Sequence, residues 1–286
     1  MMSIAIKILQ GPFGRVALLD MDGPLVEHAH HHCHIIIKIS GLDTFFNVRG
    51  KLHPLRHNTA VLINAWEPHA YASPKQATEN SLLLALYIEP TWLASLEQKM
   101  HSSSHPQFFA SSCVETSPVT QYLAQELASA MFYQEEISPL VLENQLFDLV
   151  LSIIDRHSLW RDSGLPANLH ASTRRDPRIR KAMLLIQQSF MEDINLTTIA
   201  QQCGLSRSHL FALFKQDTNL TPFVYVQVLR MEQAIRYLSL EQASMADISL
   251  NLGFSAPGHF TRFFKDNLGI TPSDYRNKVN VVQIEP

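Results

Sequence analysis

The sequence predicts an α+β protein of several domains: a β-sandwich or small barrel first, a helical pair next, and an all-α unit carrying two helix-turn-helix motifs last. Three observations carry this. Residues 12–90 break into short runs rich in β-branched, aromatic and Leu residues, punctuated by Gly and Pro, with no helical pattern between them. After residue 106 the apolar spacing changes to that of amphipathic helices. Near the end, one phrase occurs twice: 202-QCGLSRSHLFALFKQDTNLTP-222 and 251-NLGFSAPGHFTRFFKDNLGITP-272.

The 286 residues are too many for one ordinary domain. Composition is that of a globular protein, 46% hydrophobic and 17% charged. No apolar run approaches the roughly 20 residues of a membrane helix, so no membrane partner is expected. MMSIAIKILQ lacks the basic then long apolar regions of a signal peptide. Cys33, Cys113 and Cys203 are isolated and form no C-x-x-C, which fits a reduced cytoplasm. The net charge of −3 is uneven. Residues 1–170 hold 10 Lys/Arg against 16 Asp/Glu (−6), and residues 171–286 hold 13 against 10 (+3). The basic second part suits a polyanion.

In the first part FGRVALLDMD, HIIIKIS, DTFFNV, TAVLIN and SLLLALYI read as strands. Segment 118–133 opens on Pro and spaces Leu123, Leu127, Ala130 and Met131 helically. Segment 139–157 carries two adjacent apolar stripes, Leu140, Phe147, Val150, Leu151 and Ile154 beside Leu142, Leu146, Leu149 and Ile153. Together they span roughly 200°, about twice what packing on one core requires. The first stripe is therefore expected to meet a second subunit, although a helix buried within its own domain would show the same arc. Residues 158–177 have no periodicity and read as a linker. Asp176-Pro177 then supplies a cap and an N1 proline for a helix over 178–190.

Each copy of the repeat has helix-turn-helix grammar. A short helix (197–203; 245–252) ends at Gly204 or Gly253, where the turn requires positive φ. Ser206 or Ser255 is placed to cap the second helix. One residue is inserted between Ser255 and His259. Leu210, Leu213 and Phe214 in one copy, and Phe260, Phe263 and Phe264 in the other, must face inward. That turns Ser208, Phe211, Ala212 and Lys215, and Gly258, Thr261, Arg262 and Lys265, outward. The Pro-started helix 221–238 joining the copies would run about 25–30 Å, close to the ~34 Å between successive major grooves on one face of DNA.

Residues 176–277 resemble the DNA-binding domain of the AraC/XylS family of transcription regulators. The resemblance rests on Ala200, Gly204-Leu205-Ser206, Phe214-Lys215, Thr221-Pro222, Arg230, Ala234, Leu238, Gly253-Phe254-Ser255, His259-Phe260, Arg262, Phe264-Lys265, Gly269, Thr271-Pro272 and Tyr275-Arg276. It implies that Ser206, Arg207, Ser208, Phe211, Lys215, Ser255, Gly258, His259, Thr261, Arg262 and Lys265 form the DNA face. Where the family usually has polar residues on the first recognition helix, Phe211 and Ala212 stand here; they would either touch thymine methyls or pack.

Eight of the fourteen histidines lie within residues 28–69. In 23-GPLVEHAHHHCHIIIKISG-41, strand alternation would send His28, His30, His32 and His34 to one face. The spacing resembles the first metal motif of cupin barrels, with His69 where those have their last histidine ligand. It departs by having His34 for the usual glutamate, one residue fewer after Gly23, and 57-HNT-59 in place of a Pro-Gly-Asp turn. Three uses are open: histidines lining the pocket of an organic effector together with Trp66, a metal sensor using His28, His30, His34 and His69, or a catalytic metal site. The first leads, so no cofactor is expected, with a divalent metal as the alternative. A cupin metalloenzyme fused to a DNA-binding module is the rival for the whole chain. DNA-alkylation repair, which needs a clustered metal-bound cysteine, does not fit.

The expectation is thus a cytoplasmic regulator, not an enzyme. A cupin-like barrel or jelly roll (1–95) senses a small molecule and a helical segment (107–160) forms a homodimer through Leu140, Phe147, Val150, Leu151 and Ile154. A linker (161–175) leads to the double helix-turn-helix (176–280; motifs about 197–216 and 245–266). Its partners would be double-stranded DNA, the effector and, for an activator, RNA polymerase.

Overall fold

A computed structural model describes residues 3–72, 80–96, 108–158 and 176–283. The expected linker 161–175 lies outside them.

The first half is built on two sheets. Strands β1 (Ile4–Gly11), β2 (Gly14–Met21), β3 (Cys33–Gly41), β6 (Thr59–Ile63), β8 (Ser81–Ile88) and β9 (Cys113–Glu115) belong to the larger, and β4 (Thr44–Val48), β5 (Lys51–Leu55) and β7 (His69–Ala72) to the smaller. The order in the larger sheet is β10-β1-β2-β8-β3-β6-β9, where β10 is Val279–Val281 from the far end of the chain. All pairings are antiparallel except β10 with β1, which runs parallel with Ile8 opposite Val279. The sheet therefore reaches beyond the 1–95 expected of the barrel.

The large sheet is buried on both faces, which is why SLLLALYI and HIIIKIS read as continuous apolar runs. Val16, Leu18, Ile35, Ile37, Leu84 and Leu86 point one way, into a core shared with helices α2 (Pro118–Tyr133) and α3 (Pro139–His157). Ala17, Leu19, Ile36, Leu83 and Ala85 point the other way, into the lumen between the sheets. Helix α1 (Pro90–Leu96) follows β8, and its Trp92 donates from Nε1 to Glu143 on α3 at 2.8 Å, giving the one acid in α3's apolar arc a partner.

The partition of the α3 stripes differs from the expectation. Val150 and Ile154 are buried in the intramolecular core beside Leu142, Leu146, Leu149 and Ile153. Phe147 and Leu151 are partly buried against the same core, and only Leu140 stands clear, 67% exposed. Most of the wide arc is covered within the chain, where α3 packs on α2 and into the core they share with the sheet.

The second half contains α4 (Pro177–Ser189), α5 (Leu196–Gln202), α6 (Arg207–Thr218), α7 (Pro222–Leu240), α8 (Met245–Asn251), α9 (Pro257–Leu268) and α10 (Pro272–Lys278). It does not hang free of the barrel. Ala234, Ile235, Leu238, Phe260, Phe264 and Tyr275 share one apolar cluster with Ala5, Ile8 and Ala17 of the barrel. Ser239 and Tyr275 both donate to Gln10 Oε1, at 2.6 and 3.3 Å.

Candidate nucleic-acid interface and ligand site

Two short helix pairs, α5–α6 and α8–α9, sit at either end of α7. Both turns need their glycine: Gly204 has φ 69° and Gly253 φ 73°. At Gly253 a Cβ would also come within 2.7 Å of the Met191 carbonyl oxygen. Ser206 caps α6, its Oγ accepting from the His209 amide at 3.2 Å. Ser255 does not cap α9, contrary to expectation. The inserted residue moves the cap to Ala256, which has no side-chain acceptor, and Pro257 fills N1, where no amide needs one. Ser255 Oγ instead meets His259 Nδ1 at 2.9 Å.

On the inward faces Leu210, Phe214, Phe260 and Phe264 are fully buried, while Leu213 and Phe263 are only half-buried at the edge of their cores. On the outward faces Ser206, Arg207, Ser208, Lys215, Ser255, Gly258, His259, Thr261 and Arg262 are exposed, and Lys265 half-buried. Arg262, Lys215 and Lys265 hold no hydrogen bond or ion pair with any described residue, so their charges are available. Phe211 is half-buried, packed on the first motif's core, with the Arg207 guanidinium carbon 5.6 Å from its ring centre. Thr261 Oγ1 is turned back to the Pro257 carbonyl at 3.0 Å. Arg276, one of the residues that carry the family resemblance, donates to the Ala243 carbonyl at 2.8 Å.

The histidines gather by a different backbone than alternation implies. Residues 29–32 are not strand; β3 begins at Cys33. His28 pairs with His69 in an isolated antiparallel bridge, two backbone hydrogen bonds of 2.9 Å. His30, His34 and His69 are buried, each with a ring nitrogen within 4.8 Å of the others'. Ring centres are 4.9 Å apart for His30–His34 and for His30–His69, and 4.4 Å for His28–His69. Across β2, β8 and β3, Arg15, Tyr87 and His34 form one row of cross-strand neighbours. The Tyr87 ring stacks on His34 at 4.0 Å and carries the Arg15 guanidinium on it at 3.8 Å. Burial, and then the neighbouring imidazoles, hold His30, His34 and His69 well below the usual histidine range.

His32 and Trp66 do not line this pocket. The irregular backbone turns His31 and His32 outward to two carboxylates, Glu89 beyond β8 and Glu232 on α7. His31 reaches Glu89 at 3.3 Å and Glu232 at 3.5 Å, and His32 reaches Glu89 at 3.4 Å. Burial works against a charge on His31, but hydrogen bonds to Glu232 and Glu89 outweigh it and raise the group to about 10. Burial likewise opposes ionised Glu232, yet His31 and His32 hold it near 2. Trp66, at φ 63°, packs its ring 5.5 Å from Tyr225 in the first helix-turn-helix core, and its amide donates to His30 O at 2.8 Å. Glu89, Glu232, Arg15 and Tyr87 carry no local sequence signal, because only the fold brings them beside the histidines.

The histidine loop is also where the two halves touch. The Val26 amide donates to the Asp266 carbonyl of α9 at 3.0 Å, and Ala29 is buried in the first motif's core. Against the lumen face of the histidines lies a cavity of about 20 Å³, walled by Leu19, Met21, Phe46, Tyr71 and Tyr87.

Comparison with known proteins places these parts. Residues 25–150 match the model of an AraC-like ligand binding domain, and residues 199–278 that of a helix-turn-helix domain. The chain is 28% identical over 263 residues to the HTH-type transcriptional activator RhaS of Escherichia coli (strain SMS-3-5 / SECEC), covering 91% of this chain and 89% of that one. Identity and coverage are the same for RhaS of Shigella sonnei (strain Ss046). In overall fold it is similar to an apo Lys-to-Ala variant of ToxT from Vibrio cholerae strain SCE256, with TM-score 0.56 at 12% identity over 93% of this chain and 97% of that one. Wild-type ToxT with bound unsaturated fatty acid gives TM-score 0.55 at 13% identity, covering 94% and 97%.

Proposed function

Since this chain belongs to the AraC family of DNA-binding transcription regulators, with a ligand-binding domain ahead of its helix-turn-helix domain, we propose that α6 and α9 read two successive major grooves of one operator. The observation that carries this is the pair of exposed faces bearing unpaired Lys215, Arg262 and Lys265 at the two ends of α7. At 1.5 Å per residue α7 runs about 28 Å, a connector of the right size for grooves ~34 Å apart. Arg262 would take the O6 and N7 of a guanine, and the lysines phosphates. The packing of Phe211 favours a supporting role for it, with Ala212 exposed beside it.

The test is binding-site selection and salt titration on the full chain. Arg262→Ala should cost about 1–3 kcal/mol at the selected site and relax one base pair. An unchanged preference would show that α9 does not read through this face. Lys215→Ala and Lys265→Ala should weaken all sequences alike, each flattening the log–log salt slope by about one unit.

The division of labour is proposed accordingly. The barrel senses the effector, α2–α3 mediate a homodimer, and the double helix-turn-helix binds DNA in the cytoplasm. By likeness to RhaS, an activator, the bound protein would recruit RNA polymerase. Of the stripe the sequence suggested for the dimer, Val150 and Ile154 are buried within the chain and Leu140 stays exposed. Tyr133 and Leu140, 81% and 67% exposed where α2 hands over to α3, are better placed. Tyr133→Asp with Leu140→Asp should give monomers in sedimentation without loss of stability. A doubly substituted chain that sediments as wild type would exclude this surface.

A further inference from the structure

His28, His34 and His69 are the histidines that line the lumen cavity, and among the described residues the Nε2 atoms of His34 and His69 are buried without any hydrogen-bond partner. Leaving a buried polar group unsatisfied is costly. The state of the rings follows from their other nitrogens. A carbonyl oxygen can only accept, so His69 Nδ1, 2.8 Å from Glu67 O, and His30 Nδ1, 3.1 Å from His32 O, both carry protons. In the neutral rings that leaves Nε2 of each as an acceptor, bare in His69. His34 Nδ1, 3.2 Å from His30 Nε2, must then donate, so His34 Nε2 is bare as well. Three buried imidazoles thus hold ring nitrogens within 4.8 Å of one another. The Nε2 acceptors of His34 and His69 are bare, and that of His30 takes only the His34 Nδ1 proton, which His34 would have to turn away for all three to ligate one ion.

An imidazole whose far N–H is held by a backbone carbonyl is the arrangement that orients metal-ligating histidines. Nitrogen-only donor sets select zinc, nickel, copper or iron over calcium or magnesium. The cavity points the same way. About 20 Å³ admits one water-sized guest and no organic molecule unless the sheets part.

We propose that His30, His34 and His69 bind a divalent first-row transition-metal ion, and that this ion is the effector. The inference rests on the regulator reading above and names its ligand class. His30 belongs to the loop pinned to the DNA-binding half through Val26, Ala29 and the clasp of His31 with Glu232. His34 and His69 belong to the two sheets. One ion ties loop and sheets together and so biases how the second half sits on the first.

The experiment uses the full chain stripped with chelator and titrated with zinc, nickel or cobalt chloride. Calorimetry should show a single ion per chain. His30→Ala, His34→Gln and His69→Gln should each weaken it by more than the roughly 100-fold that losing an outer-shell partner costs, while exposed His57→Ala leaves it intact. Cobalt-loaded wild type should show the visible absorption of a nitrogen-ligated ion, and circular dichroism of the stripped variants reports their folding. DNA affinity of loaded and stripped wild type should differ by about 5–150-fold. Failure to bind any ion, or binding lost in His31→Ala but kept in His30→Ala, overturns the site. Binding with unchanged DNA affinity overturns the effector role. The ion titration needs no DNA, so a chain that binds metal but no duplex would instead refute the regulator reading.

Discussion

Ile154→Asp should leave the first half unable to fold, while Leu140→Asp on the same helix should be silent in stability. Ile154 is fully buried in the core that α3 shares with α2 and the sheet. Truncating such a side chain to Ala already costs about 2–5 kcal/mol, and a carboxylate there adds an unpaired charge in an apolar core. The sum is comparable to the roughly 5–15 kcal/mol that holds a whole domain together. Leu140 is exposed, and substitution there should stay within about 0.5 kcal/mol. Denaturant unfolding of the two variants checks it. Equal stabilities would mean that α3 does not sit on the sheet as described.

Arg230→Met should separate the two helix-turn-helix units while leaving each intact. Arg230 lies mid-way along α7, donating from Nε to Phe190 O at 2.8 Å and from Nη2 to Glu192 O at 2.9 Å, where the chain leaves α4. Its guanidinium carbon is 5.4 Å from the ring centre of Phe254, in the turn of the second motif. Burial lowers its proton affinity against the pull of Asp193, a sign of how far the charge is withdrawn from water. Met keeps much of the apolar stem but loses both donors. The expected cost is roughly 2–4 kcal/mol, and Arg230→Lys should not restore it, since an ammonium cannot span two carbonyls in a planar fork. Affinity for a two-groove operator should fall more than about tenfold, and more steeply than affinity for a site read by α9 alone. A parallel loss at both sites would show that Arg230 supports one motif rather than the angle between them.

What could be read in advance follows the range of the interactions. Gly204, Ser206 and Gly253 declare themselves through turns and caps a few residues long, so the second half was legible almost residue by residue. Ser255 misled because the consequence of one inserted residue is a shift of cap to Ala256, visible only in the backbone. For α3 the width of the apolar arc was legible but not what covers it, since a helix cannot announce whether the neighbour of Val150 and Ile154 is its own chain or another. In the histidine segment His28, His30 and His34 do come together with His69, but through a bridge and a loop rather than the strand period of two that selected them. The period failed at His32, where the chain is not extended. Strand β1 and the three residues of β10 went unread because their pairing depends on a neighbour at the other end of the chain.

That pairing has a consequence for how the protein is made. Once residues up to 157 have been synthesised, every barrel strand except β10 is available, yet the outer edge of β1 still shows a row of unpaired N–H and C=O groups. An open edge is where a nascent chain finds the wrong partner. It stays open until residues 279–281 arrive, and Ile8 meets Val279 only by closing a loop of nearly the whole polypeptide, a slow step by topology. A message cut short within the helix-turn-helix region should therefore yield an aggregating barrel, not a soluble sensor lacking its DNA-binding half.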